Sequence, residues 1–374
     1  MKTKILSFIR QETVLTVAGL LALFSCFLVK PEAEDCLDYI MENGNTIIVL
    51  FCLMTVVAGL AGQGVFRYVG ERLLEKLRSE RGIAFLLVFL CFLGSMFITN
   101  DVALITFVPF AVMVLQMAGM EKKLCRTVVL MTIAANLGSM LTPMGNPQNL
   151  YLYASSGMSM GEFIRLILPF TLASALLLAL CLWFGFQNTP AQVKIGEKTE
   201  KPYTPHVVYY DLLFLICIQT VSGTLSAQAL ILIILGAVIV RDRRLFFKVD
   251  YSLLLTFLFF FVFIGNMNQF PPFRQLVVSL VEGREMVTAV LMSQVISNVP
   301  AALLLSSFTS EWEALIIGTN LGGLGTLIAS MASLISYKQI AAKFPREKGR
   351  YLGMFTFWNA VFLAVLLGTA FILG

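Results

Sequence analysis

Two apolar runs of the sequence are each interrupted near the centre by polar residues that could bind ions. The first interruption is Thr99-Asn100-Asp101 and the second is Ser297-Asn298. Hydroxyl, amide and carboxylate oxygens are hard ligands, which suit small cations such as sodium. The first N–H groups of the helix that follows each interruption carry partial positive charge and suit an anion. Such a site can therefore hold an anion and a coupling cation together, and we expect Asn100 and Asn298 to cap the two helices.

Asp101 is the one acidic residue that the pattern places deep in an apolar run. We find no lysine or arginine at a matching depth, and burying an unpaired carboxylate costs several kcal/mol, so Asp101 should be protonated or bind a cation. This makes Asp101 the predicted coupling site. A structural role in the first turn of the following helix is an alternative that is compatible with it. The predicted sodium ligands are Asn100, Asp101 and Asn298.

A second pair of matching motifs follows the first pair, one motif after each interruption. Asn136-Leu137-Gly138 resembles Asn320-Leu321-Gly322, and with this alignment Tyr153 falls on Tyr337. Polar and helix-breaking residues come next in both places, so each motif predicts an interrupted helix. Irregular backbone at membrane depth survives only where it lines a cavity or is buried in protein. The residues that we expect at these two interruptions are Asn136, Gly145, Asn146 and Asn149 in the first, and Asn320, Gly322 and Thr326 in the second.

The composition shows which kind of protein must position these residues. Of the 374 residues 58% are hydrophobic and 13% are charged, and the mean hydropathy is +0.85. Soluble domains carry about 25% charged residues. Many runs approach the roughly 20 apolar residues that a membrane helix needs. We therefore expect an all-α, multi-pass membrane protein, and the net charge of +5 does not indicate a nucleic-acid partner.

The lysines and arginines indicate how the chain crosses the membrane. The runs 83–118 and 275–308 are too long for one crossing, and we interpret each as a re-entrant hairpin. With the N-terminus in the cytoplasm and the C-terminus outside, all but four of the 27 lysines and arginines then fall on the inner side. This agrees with the positive-inside rule for a cell (inner or plasma) membrane. The four exceptions are Lys30, Arg165, Arg274 and Arg284.

The same topology divides the chain into two similar units of opposite orientation. Residues 46–186 contain the first hairpin and a broken helix at 127–155. Residues 252–374 contain the second hairpin and a broken helix at 314–337. Two such inverted units are typical of secondary transporters, whose substrates bind near the midplane. We assign 1–45 to a membrane helix and an acidic outer loop, and 187–251 to an inner linker with two scaffold helices.

These motifs resemble those of the ion transporter superfamily. The group that they are most similar to includes citrate-transporter-like permeases, arsenite-efflux permeases, sodium–proton antiporters, plant silicon-efflux transporters and the melanosomal P protein. The resemblance covers both units and implies a homodimer in which a transport domain moves as an elevator against a scaffold. It also implies a substrate site at the hairpin tips and helix breaks. The residues at these positions are Thr99, Asn100, Asp101, Asn136, Gly145, Asn146, Asn149, Ser297, Asn298, Asn320, Gly322 and Thr326.

The expected function is secondary transport of a small anion, oxyacid or carboxylate, coupled to protons or sodium, with no other cofactor. Asp101 stands where related dicarboxylate transporters have threonine, and Val299 and Pro300 depart from their second motif. The extra negative charge favours proton coupling or a neutral oxyacid such as arsenite or silicic acid. A sodium/proton antiporter without an organic substrate is the alternative. An intramembrane enzyme would need paired catalytic groups, but the single histidine, His206, falls in the predicted inner loop.

Overall fold

The structure, a computed structural model, describes residues 12–31, 33–191 and 199–373, and the side chains of 33–38 are not described. The lysines and arginines of residues 1–11, which are counted on the inner side above, and residues 192–198 of the inner linker lie outside the described residues. The described residues are all-helical, apart from one isolated β-bridge, as expected. The α-helices are α1 (Thr13–Val29), α2 (Ala33–Gly62), α3 (Val65–Leu74), α4 (Glu80–Ile98), α5 (Asn100–Met117), α6 (Leu124–Ser139), α7 (Pro147–Ser156), α8 (Met160–Gly185), α9 (Thr204–Val221), α10 (Ala227–Arg241), α11 (Tyr251–Asn268), α12 (Pro271–Val281), α13 (Glu285–Ile296), α14 (Asn298–Ser306), α15 (Trp312–Gly322), α16 (Met331–Lys343) and α17 (Lys348–Leu373).

Seven helices of the described residues are long and apolar enough to cross a membrane. Several of them expose large apolar side chains, as at Phe184 (82% exposed) and Ile372 (85%). An apolar surface of this kind suits contact with lipid rather than water. These seven candidates, which by length and composition include both helices of the run 83–118, are Tyr39–Gly62, Glu80–Ile98, Asn100–Met117, Met160–Gly185, Thr204–Val221, Tyr251–Asn268 and Pro345–Leu373.

The helices pack in two groups. The first group consists of α1, α2, α9, α10 and α11, and the second contains the hairpins and the broken helices. Where the groups meet, the ring of Tyr151 on α7 lies against Phe257 and Phe261 on α11. Tyr39 on α2 also shares a 3.0 Å hydrogen bond with Ser307, beyond the end of α14. Aromatic contacts and a hydroxyl hydrogen bond therefore join the two groups.

Both long apolar runs are interrupted where the sequence predicts it. Helix α4 turns into α5 at Thr99 and α13 turns into α14 at Ser297; we call these helix pairs the first and second hairpin, and these residues their tips. Thr99 has φ 68° and ψ 152°, and Ser297 has φ 74° and ψ 154°. Residues other than glycine seldom adopt a positive φ, so both tips carry the same unfavourable backbone conformation.

The expected helix caps are wrong by one residue. Thr99 and Ser297 hold the N-cap positions, and Asn100 and Asn298 are the first helical residues. The Thr99 hydroxyl accepts a 3.5 Å hydrogen bond from the Val102 N–H, while the Asn100 side chain accepts from the Asp101 N–H at 2.9 Å. The unusual φ at each tip turns the chain a residue earlier than the asparagine.

Both predicted broken helices are interrupted as well. The first is α6, a break at 140–146 and α7; the second is α15, a break at 323–330 and α16. Glycine lets each broken helix lie directly on its hairpin. A Cβ at Gly138 would overlap the Phe92 carbonyl and approach the Ser95 hydroxyl to 2.7 Å, and one at Gly322 would approach the Ser293 hydroxyl to 2.6 Å.

Two surface expectations need correction. The charges of residues 67–81 alternate at helical spacing and predict an amphipathic helix with a solvated face. The helix there is α3, which ends at Leu74, and Glu71 is buried. Its carboxylate accepts hydrogen bonds from Arg67 and from the backbone and hydroxyl of Thr199, at 2.7–2.8 Å. His206 lies in the first turn of α9, against the Tyr203 ring, rather than in a loop.

Candidate functional site

The first tip is tied to the first broken helix by a pair of buried amides. The Asn100 Nδ2 donates to Asn136 Oδ1 at 3.1 Å. Beside it, Asp101 lies in the first turn of α5, with its Oδ1 atom buried and, among the described residues, without a hydrogen-bond partner. An unpaired carboxylate oxygen at such a place requires a proton or a cation. The geometry thus places Asn136 against Asn100, next to Asp101.

Asn136 also reaches across to the second broken helix. Its Oδ1 accepts from the Ser330 hydroxyl at 2.9 Å, and its Nδ2 donates to the Ser333 hydroxyl at 3.4 Å. Ser330 ends the second break and Ser333 lies in the first turn of α16. The amide group therefore joins the two halves, by which we mean α4–α7 and α13–α16.

Asn320 makes the reciprocal connection from the second half. Its Oδ1 accepts from Asn146 Nδ2 at 3.2 Å, and its Nδ2 donates to Asn149 Oδ1 at 2.6 Å. Asn146 ends the first break and caps α7 by accepting from the Asn149 N–H at 2.9 Å. The members of the pairs 136/320, 146/330 and 149/333 are separated by the same interval in the sequence. Each half thus offers one asparagine to matching positions of the other half.

These side chains form one buried polar cluster. Asn100, Asn136, Asn146, Asn149, Asn320, Ser330 and Ser333 are each at most 5% exposed. Apart from Asp101 beside it, every side chain of this cluster is neutral, and amides and hydroxyls both donate and accept hydrogen bonds. We call this set the amide cluster. It can hydrogen-bond a small polar solute without offering a full positive charge.

The second tip has different partners. The Asn298 N–H donates to the Ala329 carbonyl at 2.9 Å, and the Ser297 hydroxyl donates to the same oxygen at 3.4 Å. The Asn298 side chain is 4% exposed and lies beside Gly323, where a Cβ would come within 3.0 Å of its Nδ2. Of the predicted sodium ligands, Asn100 and Asp101 share a tip, whereas Asn298 stands at the other. Among the described residues we find no cluster of three His, Cys, Asp or Glu side chains that could hold a metal ion.

Three further predicted residues, Gly145, Gly322 and Thr326, contact the neighbouring backbone or Gln294 and make no side-chain hydrogen bond to the amide cluster. Gly145 lies so close to the Ser139 backbone that a Cβ there would overlap it. Thr326 is exposed and bonds to Gln294 rather than to the amide cluster. Gly322 provides the close helix crossing described above.

Sequence reasoning missed three residues of this region as site residues. Ser330 and Ser333 join the amide cluster, and Gln294 bridges the second hairpin and the second break. The two serines could have been found by extending the Asn136/Asn320 alignment, because they match Asn146 and Asn149 at the same interval. Gln294 matches Met96 in the first hairpin, so the repeat gives no signal for it.

Comparison with known families shows which class of protein this is. Residues 5–311 match the CitMHS family, described as citrate transporter. The chain belongs to this family. It is a multi-pass membrane transporter and not an enzyme, and this confirms the expected class of protein.

Several relatives extend the comparison. The CitMHS protein is 32% identical to the inner membrane protein YbiR of Escherichia coli over 79% of each chain. It is 34% identical to the uncharacterized transporter MJ0456 of Methanocaldococcus jannaschii, over 79% of this chain and 80% of the relative. A shorter match, 32% identical over 160 residues, covers 40% of this chain and 32% of the silicon efflux transporter LSI3 of Oryza sativa subsp. japonica.

Proposed function

We propose that this transporter works by alternating access, with two inverted repeats that bind a small solute at the amide cluster. The observation that carries the proposal is the reciprocal bonding of Asn136 and Asn320. Each asparagine bonds to the end of the break in the other half and to the helix turn that follows it. Substrate sites of inverted-repeat transporters lie where broken helices of the two repeats meet. A solute that replaces these bonds would hold both halves at once.

The proposed solute is a small neutral oxyacid of the arsenite or silicic acid kind. The hydroxyl groups of such an acid both donate and accept, which matches the amides and hydroxyls of the cluster. The Asp101 carboxylate beside the cluster would repel an anion when it is ionised. The silicon efflux for which LSI3 is named supports this solute class. A carboxylate such as citrate, after which the family is named, is the competing solute, and helix N-termini at the tips would favour it.

The proposed coupling group is Asp101, which would exchange a proton or a sodium ion during the cycle. Its support is the buried Oδ1 without a partner among the described residues. Ionisable residues inside membrane segments commonly serve in ion and proton pathways. The same oxygen also favours a second function, sodium/proton antiport with no organic or inorganic acid as substrate.

The rest of the proposal concerns assembly and orientation. The group α1, α2, α9, α10 and α11 would be the scaffold, and the hairpins and broken helices would move against it as an elevator. The repeats would be 46–186 and 252–374, with both hairpins re-entrant. The protein would act as a homodimer in the cell membrane, with the N-terminus in the cytoplasm and the C-terminus outside.

The test uses proteoliposomes with a pH dye inside and a sodium gradient, first without solute and then with arsenite, silicate or citrate. We expect a pH response that requires arsenite or silicate. A response to sodium alone would establish the antiporter instead, and a response to citrate alone would refute the neutral solute.

Asp101 is tested by the Asp101→Asn variant in the same vesicles. We expect normal insertion and loss of the pH or sodium dependence, because the amide carries no exchangeable charge. The control is Asp211→Asn, which changes an exposed carboxylate on α9. Coupling as in the wild type after Asp101→Asn would remove Asp101 from the mechanism.

A further inference from the structure

A side-chain amide fills the gap in the second broken helix. In a continuous helix the Thr326 N–H would donate to the Gly322 carbonyl, four residues earlier. Here the Gln294 Nε2 donates to the Gly322 carbonyl at 2.9 Å, and the Thr326 N–H donates to Gln294 Oε1 at 2.8 Å. The glutamine amide thus bridges the two backbone groups that would bond to each other in a continuous helix: it donates to the Gly322 carbonyl and accepts from the Thr326 N–H.

Three carbonyl oxygens converge on the same nitrogen. The Gln294 Nε2 lies 2.9 Å from the Leu324 oxygen and 3.1 Å from the Val290 oxygen, in addition to Gly322. Gly325 makes room for it, because a Cβ there would overlap the amide, and its φ of 103° suits glycine alone. Carbonyls at the end of a helix carry partial negative charge, and a cluster of them attracts a cation. The amide nitrogen therefore occupies a place that a cation would otherwise suit.

The first break is held together in another way. The residue that matches Gln294 is Met96, whose carbonyl accepts from the Thr142 hydroxyl at 2.6 Å, just as the Gln294 carbonyl accepts from Thr326 at 3.0 Å. The Met140 carbonyl, which matches that of Leu324, accepts instead from Asn149 Nδ2 at 3.1 Å. Both breaks thus share a hydroxyl bond to their hairpin, but the first is otherwise stabilised from within its own broken helix, whereas the second also depends on the Gln294 amide of its hairpin.

We propose that Gln294 is a positioning residue that holds the second break in shape by standing in for a cation. This rests on the proposed function, since the break that Gln294 holds carries Asn320 and Ser330 of the amide cluster at its ends. Coupling by a cation is then confined to the first half, where Asp101 lies. The second hairpin and the second break form one unit because Gln294 bonds to both.

The experiment compares two variants and a matched control in purified protein and in proteoliposomes. Gln294→Met removes the amide and copies the residue of the first half. Gln294→Glu keeps the shape and the acceptor but places a carboxylate against three carbonyls. Gln339→Met is the control, since Gln339 is also partly buried in the second half but makes a 3.3 Å bond to the Leu104 carbonyl, away from the break.

Hydrogen exchange and thermal unfolding need no substrate. In Gln294→Met we expect the amides of 323–330 to exchange about tenfold faster, because buried carbonyls lose their donor. We also expect the Vmax of transport to decrease by a larger factor than the KM changes. In Gln294→Glu at neutral pH, replacing N-methylglucamine with sodium should raise Tm by more than in the wild type, because sodium can bridge the carboxylate and the carbonyls. The control should behave like the wild type.

Two results would overturn the proposal. Wild-type exchange and transport in Gln294→Met would show that the amide does not position the break. A sodium response of Gln294→Glu no larger than that of the wild type would show that the carbonyls do not form a latent cation site. If the exchange and Tm changes appear but no protein carries arsenite or silicate, the proposed solute fails while the role of Gln294 stands.

Discussion

The two halves of this transporter share a framework but differ in the chemistry they place on it. Their tips have nearly the same φ and ψ. The broken helix of each half also offers an asparagine to the break in the other half. Yet Asp101 in the first half matches Val299 in the second, and Met96 matches Gln294. The backbone geometry is therefore repeated in the two halves, whereas the charge at the tip and the side chain that stabilises the break are not.

This difference indicates how the work is divided between the halves. The first tip bonds by its Asn100 side chain to Asn136 and carries a carboxylate. The second tip bonds by its backbone to Ala329 and carries apolar residues after Asn298. We therefore expect changes at shared framework positions to harm both halves, and changes in charge to affect the first half alone.

The largest effect should come from the two crossing glycines. Gly138→Ala drives a Cβ into the Phe92 carbonyl, and Gly322→Ala drives one into the Ser293 side chain. Overpacking of this kind costs about 1–3 kcal/mol, and the first change should cost more because a backbone carbonyl cannot rotate away. Thermal unfolding of the purified variants measures both costs.

The control for these glycines is Gly236→Ala on α10, where a Cβ meets nothing within 4 Å. We expect its Tm to equal or exceed that of the wild type, since alanine favours a helix. If Gly138→Ala were as stable as this control, the close crossing in the first half would be refuted.

The next effect tests whether the two cross-connections are equivalent. Asn136→Ala leaves Asn100, Ser330 and Ser333 without a partner they now have, and Asn320→Ala does the same to Asn146 and Asn149. Asn100, Asn146 and Asn149 keep other hydrogen bonds, so the net cost of each lost bond is about 0.5–1.5 kcal/mol, and each variant should lose less stability than the clash at Gly138 causes. We expect a similar loss of Tm in both variants and loss of transport in both.

Asn359→Ala separates stability from transport in that comparison. Asn359 is also fully buried, but it donates to the Phe355 carbonyl within α17, outside the amide cluster. It should lose stability and keep transport in the molecules that remain folded. Transport by Asn136→Ala together with loss in Asn320→Ala would mean that only the second half binds the solute.

The smallest effect concerns the linker between the halves. Burial opposes ionisation of Glu71, but hydrogen bonds from Thr199 and Arg67 outweigh it, so the pKa of Glu71 lies below its ordinary value of 4.5. A lowered pKa means that the contact stabilises the protein above the unfolded pKa and is lost as the pH falls through the folded pKa. Glu71→Gln should cost about 1 kcal/mol at neutral pH and remove this acid dependence.

Hydrogen exchange at 199–203, followed from neutral pH to below pH 4, measures the linker contact. Glu75→Gln is the control, because the Arg72–Glu75 pair is more exposed, at 57% and 33%, and such surface pairs contribute little. Equal acid dependence in the wild type and in Glu71→Gln would assign the linker contact to another group.

The sequence predicts the hairpins and breaks because polar residues inside apolar runs have few structural explanations. The alignment of two short motifs also indicates that Asn136 and Asn320 hold equivalent positions in the two halves. The sequence does not predict that Thr99 rather than Asn100 caps α5, because a positive φ at threonine is set by tertiary packing and not by local preference.

The exchange of partners between the halves was also beyond the sequence. Ser330 and Ser333 bond to Asn136 only because the chain folds back on itself over nearly two hundred residues. Gln294 is harder still, since a single glutamine in an apolar helix gives no sign of its four bonding partners. Local pattern therefore located the breaks, and the fold decided what fills them.

The reciprocal asparagines also set an order for biosynthesis. While the ribosome has delivered only the first half, Asn136 has Asn100 beside it but not Ser330 or Ser333, which are still to be translated. An amide side chain in the lipid bilayer that lacks its hydrogen-bond partners raises the free energy of the nascent chain. The nascent first half should therefore stay near the insertion machinery until residue 333 has emerged. The polar centre of the protein would then be completed last, although half of it is made early.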